Sequence, residues 1–196
     1  MKVLLATTNQ KKIQEISDIL SDTTITIITP DDIDMFMAVK ENGSTFKENA
    51  IKKATAWAEA SGMNALADDS GLCVTALGGR PGVKSARFAG ENATDEDNWR
   101  LLLKCMKGIK DRRAKFICVV ALAMPDSNVI SAQGVYPGLI LDKPAGTSGF
   151  GYDPIFFDPE TKKTFAQLSP EGKNQRSHRT RALLALKRRL KELKYI

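Results

Sequence analysis

The sequence is poor in residues that hold metals through nitrogen or sulfur. It has one histidine, His178, in 196 residues, which excludes a centre built from several imidazoles. The three cysteines, Cys73, Cys105 and Cys118, share no metal-type spacing, and their odd number argues against a disulfide framework. Each sits in an apolar pattern, which reads as buried free thiols in a reducing cytoplasm. Long apolar runs are missing too. The longest, Phe116–Met124, is far too short to cross a bilayer, and the run in "MKVLLATTNQKK" is too short for the core of a secretion signal. A cytoplasmic protein without membrane attachment is expected. No repeat, low-complexity tract or linker interrupts the chain, so residues 1–196 are expected to form a single domain. A P-loop is also absent. In "GGRPGVKS", Val83 stands where that loop needs Gly before Lys84, and Pro81 stiffens the turn, so a kinase or ATPase reading loses its support.

What is present is an ordinary globular balance, 42% hydrophobic and 27% charged, in a chain long enough to bury a core. The net charge of +6 points weakly to an anionic partner. Much of the excess lies in "HRTRALLALKRRLKELK", residues 178–194, whose leucines recur at helical spacing. A solvated basic face, a nucleic acid and a small phosphorylated substrate each account for that tail.

"KVLLAT" reads as a strand, "TTNQKKIQEISDIL" as a helix with Ile13, Ile16, Ile19 and Leu20 on one face, and Thr24–Thr29 as a second strand. This opening predicts an α/β protein. Residues 30–43 read as a connection. "STFKENAIKKATAWAEASG" is a helix, with a capping box at Thr45 and Glu48 and an apolar face of Phe46, Ala50, Ala54, Trp57 and Ala58. A further helix begins at Thr94, capped with Asp97, and two long strands join through "PDSN".

Four polar clusters could carry chemistry, besides the adjacent carboxylates Asp68 and Asp69 in "ALADDSGLCV", which read locally as a strand end and polar turn. Thr7, Thr8, Asn9, Gln10, Lys11 and Lys12 precede the first helix, where N–H groups and lysines suit a phosphate, although simple capping by Asn9 explains them equally well. "GGRPGVKS" is better read as a structural turn. In "GTSGFGYDPIFF", extended alternation would put Phe150 and Tyr152 on one side, able to stack on a flat base, while Phe156 and Phe157 read as core. In "SPEGKNQRSHRTR", Ser169 and Pro170 announce a helix that Gly172 interrupts, and Lys173, His178 and Arg179 are donors suited to phosphate or base oxygens.

These clusters, in this order, resemble the inosine triphosphate pyrophosphatase family, from "LLATTNQKK" through "ENGSTFKENAIKKA", "ADDSGLCVTALGGRPGVKSARFAG" and "PAGTSGFGYDPIFF" to "KNQRSHRTRALLAL". The resemblance covers nearly the whole chain. It implies an elongated mixed-sheet α/β fold with two lobes and a central substrate cleft, a Mg²⁺ requirement and a homodimer. It also implies hydrolysis of ITP, dITP and XTP to the monophosphate and pyrophosphate, which keeps these nucleotides out of DNA and RNA. By the same resemblance, Thr7 to Lys12 form a triphosphate-binding loop, Glu41 is a metal carboxylate, and Asp69 is a metal ligand, the catalytic acid–base group, or both. Ser70 contacts substrate, and Phe150, Gly151, Tyr152 and Asp153 form a base-binding loop closed by Lys173, His178 and Arg179. Thr75 departs from the pattern, standing where the family often has Asp.

Neighbouring side chains on a strand point to opposite faces, so Asp68 and Asp69 are expected not to share one site. Asp69 would face Glu41, and Asp68 would be a supporting group. Two rivals remain: a related pyrophosphatase family selective for pyrimidine or methylated nucleotides, and a non-enzymatic nucleic-acid-binding protein using the basic helix. The acidic clusters argue against the second, and no stable nucleic-acid partner is expected.

Overall fold

A computed structural model describes the backbone of residues 1–196 and every side chain except those of Pro170 and Asn174. Strand β1 (Lys2–Leu5) leads through Thr7–Asn9 into helix α1 (Gln10–Leu20), which Asn9 caps by accepting from Lys11 N at 3.0 Å and Lys12 N at 3.2 Å. β2 (Thr26–Ile28) returns parallel to β1, with Val3 opposite Ile27. Helix α2 (Phe46–Ser61) follows a long connection, then β3 (Ala65–Val74), also parallel to β1 with Leu5 opposite Leu66. Helix α3 (Asp95–Cys105) starts in a full capping box between Thr94 and Asp97. β4 (Arg113–Ala123) and β5 (Val129–Ile140) join through a tight turn, and the short strands β6 (Phe156–Asp158) and β7 (Lys163–Thr164) add antiparallel pairs. The chain closes with a single turn of helix, α4 (Pro170–Asn174), and with α5 (His178–Glu192). The hydrogen-bonded order is β2-β1-β3-β4-β5-β6-β7, a mixed sheet. The α/β expectation holds.

The chain divides into two compact units. The first comprises residues Met1–Asp69, Cys118–Gly134 and His178–Ile196; the second comprises Ser70–Ile117 and Val135–Ser177. In the first, leucines and isoleucines of β1, α1 and α5 pack on Cys118, Val120 and Leu122 of β4. The leucines at helical spacing in the basic tail, Leu183, Leu186 and Leu190, are the buried face of α5. Gly134 lets α5 lie directly on β5: a Cβ there would collide with the backbone of His178 and Ala182. In the second unit, Phe116, Phe156 and Phe165 form an aromatic nest, with the Phe116 and Phe156 centroids 4.5 Å apart. Phe156 is fully buried, as its core reading required. Cys118 is buried, its thiol pushed up to about 12 by burial, whereas Cys105 is exposed, against expectation, because it ends α3 on the solvent side.

Two local expectations are corrected. The "DDSG" segment is not a strand end, since β3 runs through it without a break for ten residues. Punctuation residues gave way to strand pairing because both aspartates find partners on the faces of the sheet. The T-x-x-E box of α2 is only half formed. Thr45 accepts from Glu48 N at 3.1 Å, but the Glu48 carboxylate reaches one residue further back, to Ser44 N at 2.7 Å and Ser44 Oγ at 2.9 Å.

Candidate functional site

Strand alternation separates the two aspartates as expected. Asp68 meets α1 and α5: Lys12 Nζ donates to its Oδ1 at 3.1 Å and Arg179 Nη2 to its Oδ2 at 3.1 Å. Arg179 also pairs with Glu15 of α1. Burial works against ionising Asp68, yet the charges of Lys12, Arg179 and Lys53 overcome it and hold its carboxyl far below the usual carboxylate range. Asp69 meets α2 instead, accepting from Asn49 Nδ2 at 2.9 Å. Its burial, reinforced by the negative charge of Glu41, pushes it up to about 6 from an ordinary 3.8, although Asn49, Lys53 and Lys12 pull the other way.

Helix α2 fixes the segment that carries Glu41. Glu41 pairs with Lys53, Asn42 Oδ1 accepts from Lys52 Nζ at 2.7 Å, Gly43 N donates to Asn49 Oδ1 at 2.7 Å, and Ser44 N donates to Glu48. Four successive residues with no regular structure are thus pinned to four side chains of one helix. Asn49 holds both Gly43 and Asp69, so it couples the Glu41 segment to β3. Lys53 stays fully charged: burial disfavours its ammonium, but Asp68 and Glu41 outweigh this and raise its pKa.

Asn49 and Lys53 were missed in the sequence, although a signal existed. They sit three residues after Phe46 and Ala50, inside the apolar stripe of α2, where polar residues need a reason. Thr8, Asn9, Gln10 and Lys11 are exposed at the α1 N-terminus, while Lys12 turns inward to Asp68. The capping reading of this loop is met. Asn9 takes up two amide protons, leaving the Lys11 side chain and the Thr8 hydroxyl on the surface.

Asp69 and Glu41 also decide whether a metal suits the site. Among the described residues no group of three or more His, Cys, Asp or Glu side chains is gathered for an ion. Mg²⁺ is usually held by one or two carboxylates, with water and phosphate oxygens completing its shell. Two carboxylates close enough for one to raise the pKa of the other are therefore a donor set that fits Mg²⁺.

In the second unit, Lys173 and Asp153 form a buried ion pair at 2.7 Å, and the Lys173 ammonium lies 4.5 Å from the centroid of the half-buried Phe150 ring. Asp153 Oδ2 also accepts from Phe150 N at 3.0 Å, and Asp95 Oδ2 accepts from Gly151 N at 2.7 Å. The extended alternation read for Phe150 and Tyr152 is corrected here. The segment is a turn, with Gly151 at φ 60°, and it sends Tyr152 into the core, where its hydroxyl donates to Ser85 O at 2.8 Å. Tyr152 is thereby removed as a stacking partner for a base. Ser70 is half-buried, directly after Asp69 in β3. His178 and Arg179 open α5 and are buried. The expectation that Arg179 reads the base is corrected as well, because both terminal nitrogens of its guanidinium serve carboxylates of the first unit.

Carboxylates on a strand flanked by lysines of two helices, one pair of them at a helix N-terminus, suit an enzyme that works on phosphate anhydrides. Comparison with known proteins narrows the class. The dITP/XTP pyrophosphatase of Geobacter sulfurreducens is 47% identical over 188 residues, which cover 95% of this chain and 94% of that protein. The solved Ham1 protein of Staphylococcus aureus superposes with a TM-score of 0.87 at 44% identity, covering 98% and 99% of the two chains. The HAM1 protein of Coxiella burnetii gives 0.88 at 40% identity over the full length of both. The Ham1 family model matches residues 3–189, and the chain belongs to the Ham1 family.

Proposed function

We propose that this protein hydrolyses the non-canonical purine nucleoside triphosphates ITP, dITP and XTP to the monophosphate and pyrophosphate, clearing them from the nucleotide pool. The observation that carries the reading is the division of labour across β3: Asp69, poised at about 6 beside Glu41 and Lys53, and Asp68, locked ionised between Lys12 and Arg179. The names of the relatives give the same reaction class.

In the reaction, water attacks the α-phosphorus, the bond from that phosphorus to the α–β bridging oxygen breaks, and the leaving oxygen departs with pyrophosphate. Asp69 orients the attacking water and takes its proton, a task suited to a carboxylate with a pKa near neutrality. Lys12 and Lys53, with Lys11 at the α1 N-terminus, balance the negative charge of the phosphate oxygens. Mg²⁺, held by Asp69 and Glu41, would supply further charge neutralisation at those oxygens. Arg179 and Asp68 position Lys12, and Asn49 keeps Asp69 aimed.

The second unit supplies base recognition. Phe150 stacks on the purine, and Lys173 and Asp153 present a donor beside an acceptor. A 6-oxo purine offers the complement, an acceptor at O6 and a donor at N1. Adenine offers the reverse, a 6-amino donor and an N1 acceptor, so it leaves both charged groups mismatched. Thr7, Thr8, Asn9, Gln10 and His178 of the first unit, and Ser70 and Gly151 of the second, are further proposed substrate contacts. The protein acts in the cytoplasm as a homodimer; light scattering that returned the 21.5 kDa monomer mass would contradict the dimer.

The experiment for the activity is pyrophosphate release from a panel of purine and pyrimidine triphosphates, with and without Mg²⁺. Turnover of ITP and XTP well above ATP supports the reading. Preference for a pyrimidine or methylated nucleotide assigns the protein to the rival activity.

A further inference from the structure

The basic tail singled out in the sequence is used by the proposed site only through its first residues, His178 and Arg179. Two of its other cations, Arg188 and Arg189, lie near the far end of α5, beside a cavity of about 480 Å³ in the first unit. Four elements, α2, β4, β5 and α5, wall this cavity. Arg188 and Arg189 come from α5, Lys47 from the first turn of α2, and the floor is the apolar trio Val119, Ala132 and Ala185. The volume lies in the range of small-molecule sites, which are commonly apolar with a few placed polar groups.

Cations outnumber carboxylates at this cavity, with Lys47, Arg188 and Arg189 against Glu192. Three other cations of α5 and α1 do have carboxylate partners: Lys187 pairs with Asp22 at 2.8 Å, and Lys12 and Arg179 share Asp68. Among the described residues, no carboxylate pairs with Lys47, Arg188 or Arg189, although Glu192 stands in the same wall. Arg189 is held in place through a hydrogen bond from Nη1 to Ser131 O at 2.5 Å on β5, with further N–H groups to offer. Three cations from two separate helices, gathered over an apolar floor with one of them pinned, are arranged for an anion that has a flat or apolar body.

We infer that this cavity is a second binding site, separate from the proposed catalytic residues, for a small phosphate-bearing ligand of about nucleotide size. Lys47, Arg188 and Arg189 hold the phosphate, and the floor of Val119, Ala132 and Ala185 takes the organic part. The inference does not depend on the proposed reaction, since the cavity residues take no part in it.

The test is a titration of the full-length ¹⁵N-labelled protein without divalent metal, using inosine monophosphate and inorganic pyrophosphate as separate probes, followed by amide chemical shifts. The inference expects shifts at Ser131–Gln133 and along 185–192, distinct from any near Asp68 and Asp69. Shifts there from both probes identify phosphate alone as the recognised group, and shifts from the nucleotide alone identify the floor as part of recognition. In the variant Lys47→Gln/Arg188→Gln/Arg189→Gln, affinity at this site should drop about tenfold or more, with ITP turnover unchanged. Shifts confined to the catalytic residues overturn the inference. So does an unaltered affinity in the triple variant, or binding of single-stranded oligonucleotide far tighter than either probe with a steep salt dependence, which would make the face a nucleic-acid surface.

Discussion

Arg179 Nη2 lies 3.1 Å from Asp68 Oδ2, with both side chains 1% exposed, and the second oxygen of the same carboxylate takes Lys12. A buried carboxylate between two cations belongs to the framework of the site as much as to its chemistry. Removing the anion leaves a buried guanidinium and a half-buried ammonium facing each other without it.

Asp68→Asn should therefore be strongly destabilising. Breaking one partner of a buried pair costs about 3–5 kcal/mol, which in a chain of this size lowers Tm by roughly 10 °C. Because the folded pKa of Asp68 is depressed, its contribution is complete above the unfolded value of about 3.9 and fades as pH falls below it. Thermal melts of the wild type and Asp68→Asn at neutral pH and in acid check this. Equal Tm values at neutral pH would contradict the role given to Asp68.

Asp69 should behave in the opposite way. Its folded pKa is raised to about 6, so it costs nothing below the unfolded value and destabilises the fold progressively as pH rises through 6. Asp69→Asn in protein stripped of metal should then gain up to about 3 kcal/mol at neutral pH, with the gain vanishing near pH 4, while turnover is lost. A melt series across that window decides it. A gain independent of pH, or none at all, would show that the burial of Asp69 is not penalised.

The ladder between α2 and residues 41–44 predicts a kinetic signature for Lys53. Its charge lowers the pKa of Asp69 and it pairs with Glu41. Lys53→Met should move the acid limb of the kcat/KM profile to higher pH and reduce its plateau about tenfold or more. A lowered plateau with an unmoved limb would place Lys53 on the phosphates alone.

In the second unit, two aromatic neighbours should separate cleanly. Phe150→Ala should weaken ITP and ATP alike with little change in Tm. Tyr152→Phe should cost about 1 kcal/mol of stability through the lost bond to Ser85 O and leave both KM values in place. Lys173→Met should reduce kcat/KM for ITP far more than for ATP, narrowing selectivity. Paired kinetics and melts on the three variants test all of this, and an equal loss of both nucleotides in Lys173→Met would remove Lys173 from base discrimination.

Periodicity made the helices and the two long strands legible, and the alternation rule placed Asp68 and Asp69 on opposite faces. Rules of local punctuation failed where tertiary partners overrode them. Strand β3 passes through "DDSG" because Lys12, Arg179 and Asn49 wait on either side of it. Tyr152 escaped the reading because a left-handed glycine breaks the alternation on which the reading relied. Arg179 looked like a free donor in sequence, since Glu15 lies 164 residues away and nothing local marks the pair. Asn49 and Lys53 were visible only as polar residues inside an apolar stripe, a signal of burial that names no partner.

The central claim is that Asp69 directs water to the α-phosphorus of a 6-oxo purine triphosphate. Phosphorus NMR of ITP hydrolysis in the presence of Mg²⁺, run with the wild type and with Asp69→Asn, tests it most directly. The account predicts pyrophosphate and inosine monophosphate as first products from the wild type, and almost no turnover from a well-folded Asp69→Asn. Orthophosphate appearing first, or substantial pyrophosphate release by Asp69→Asn, would contradict it.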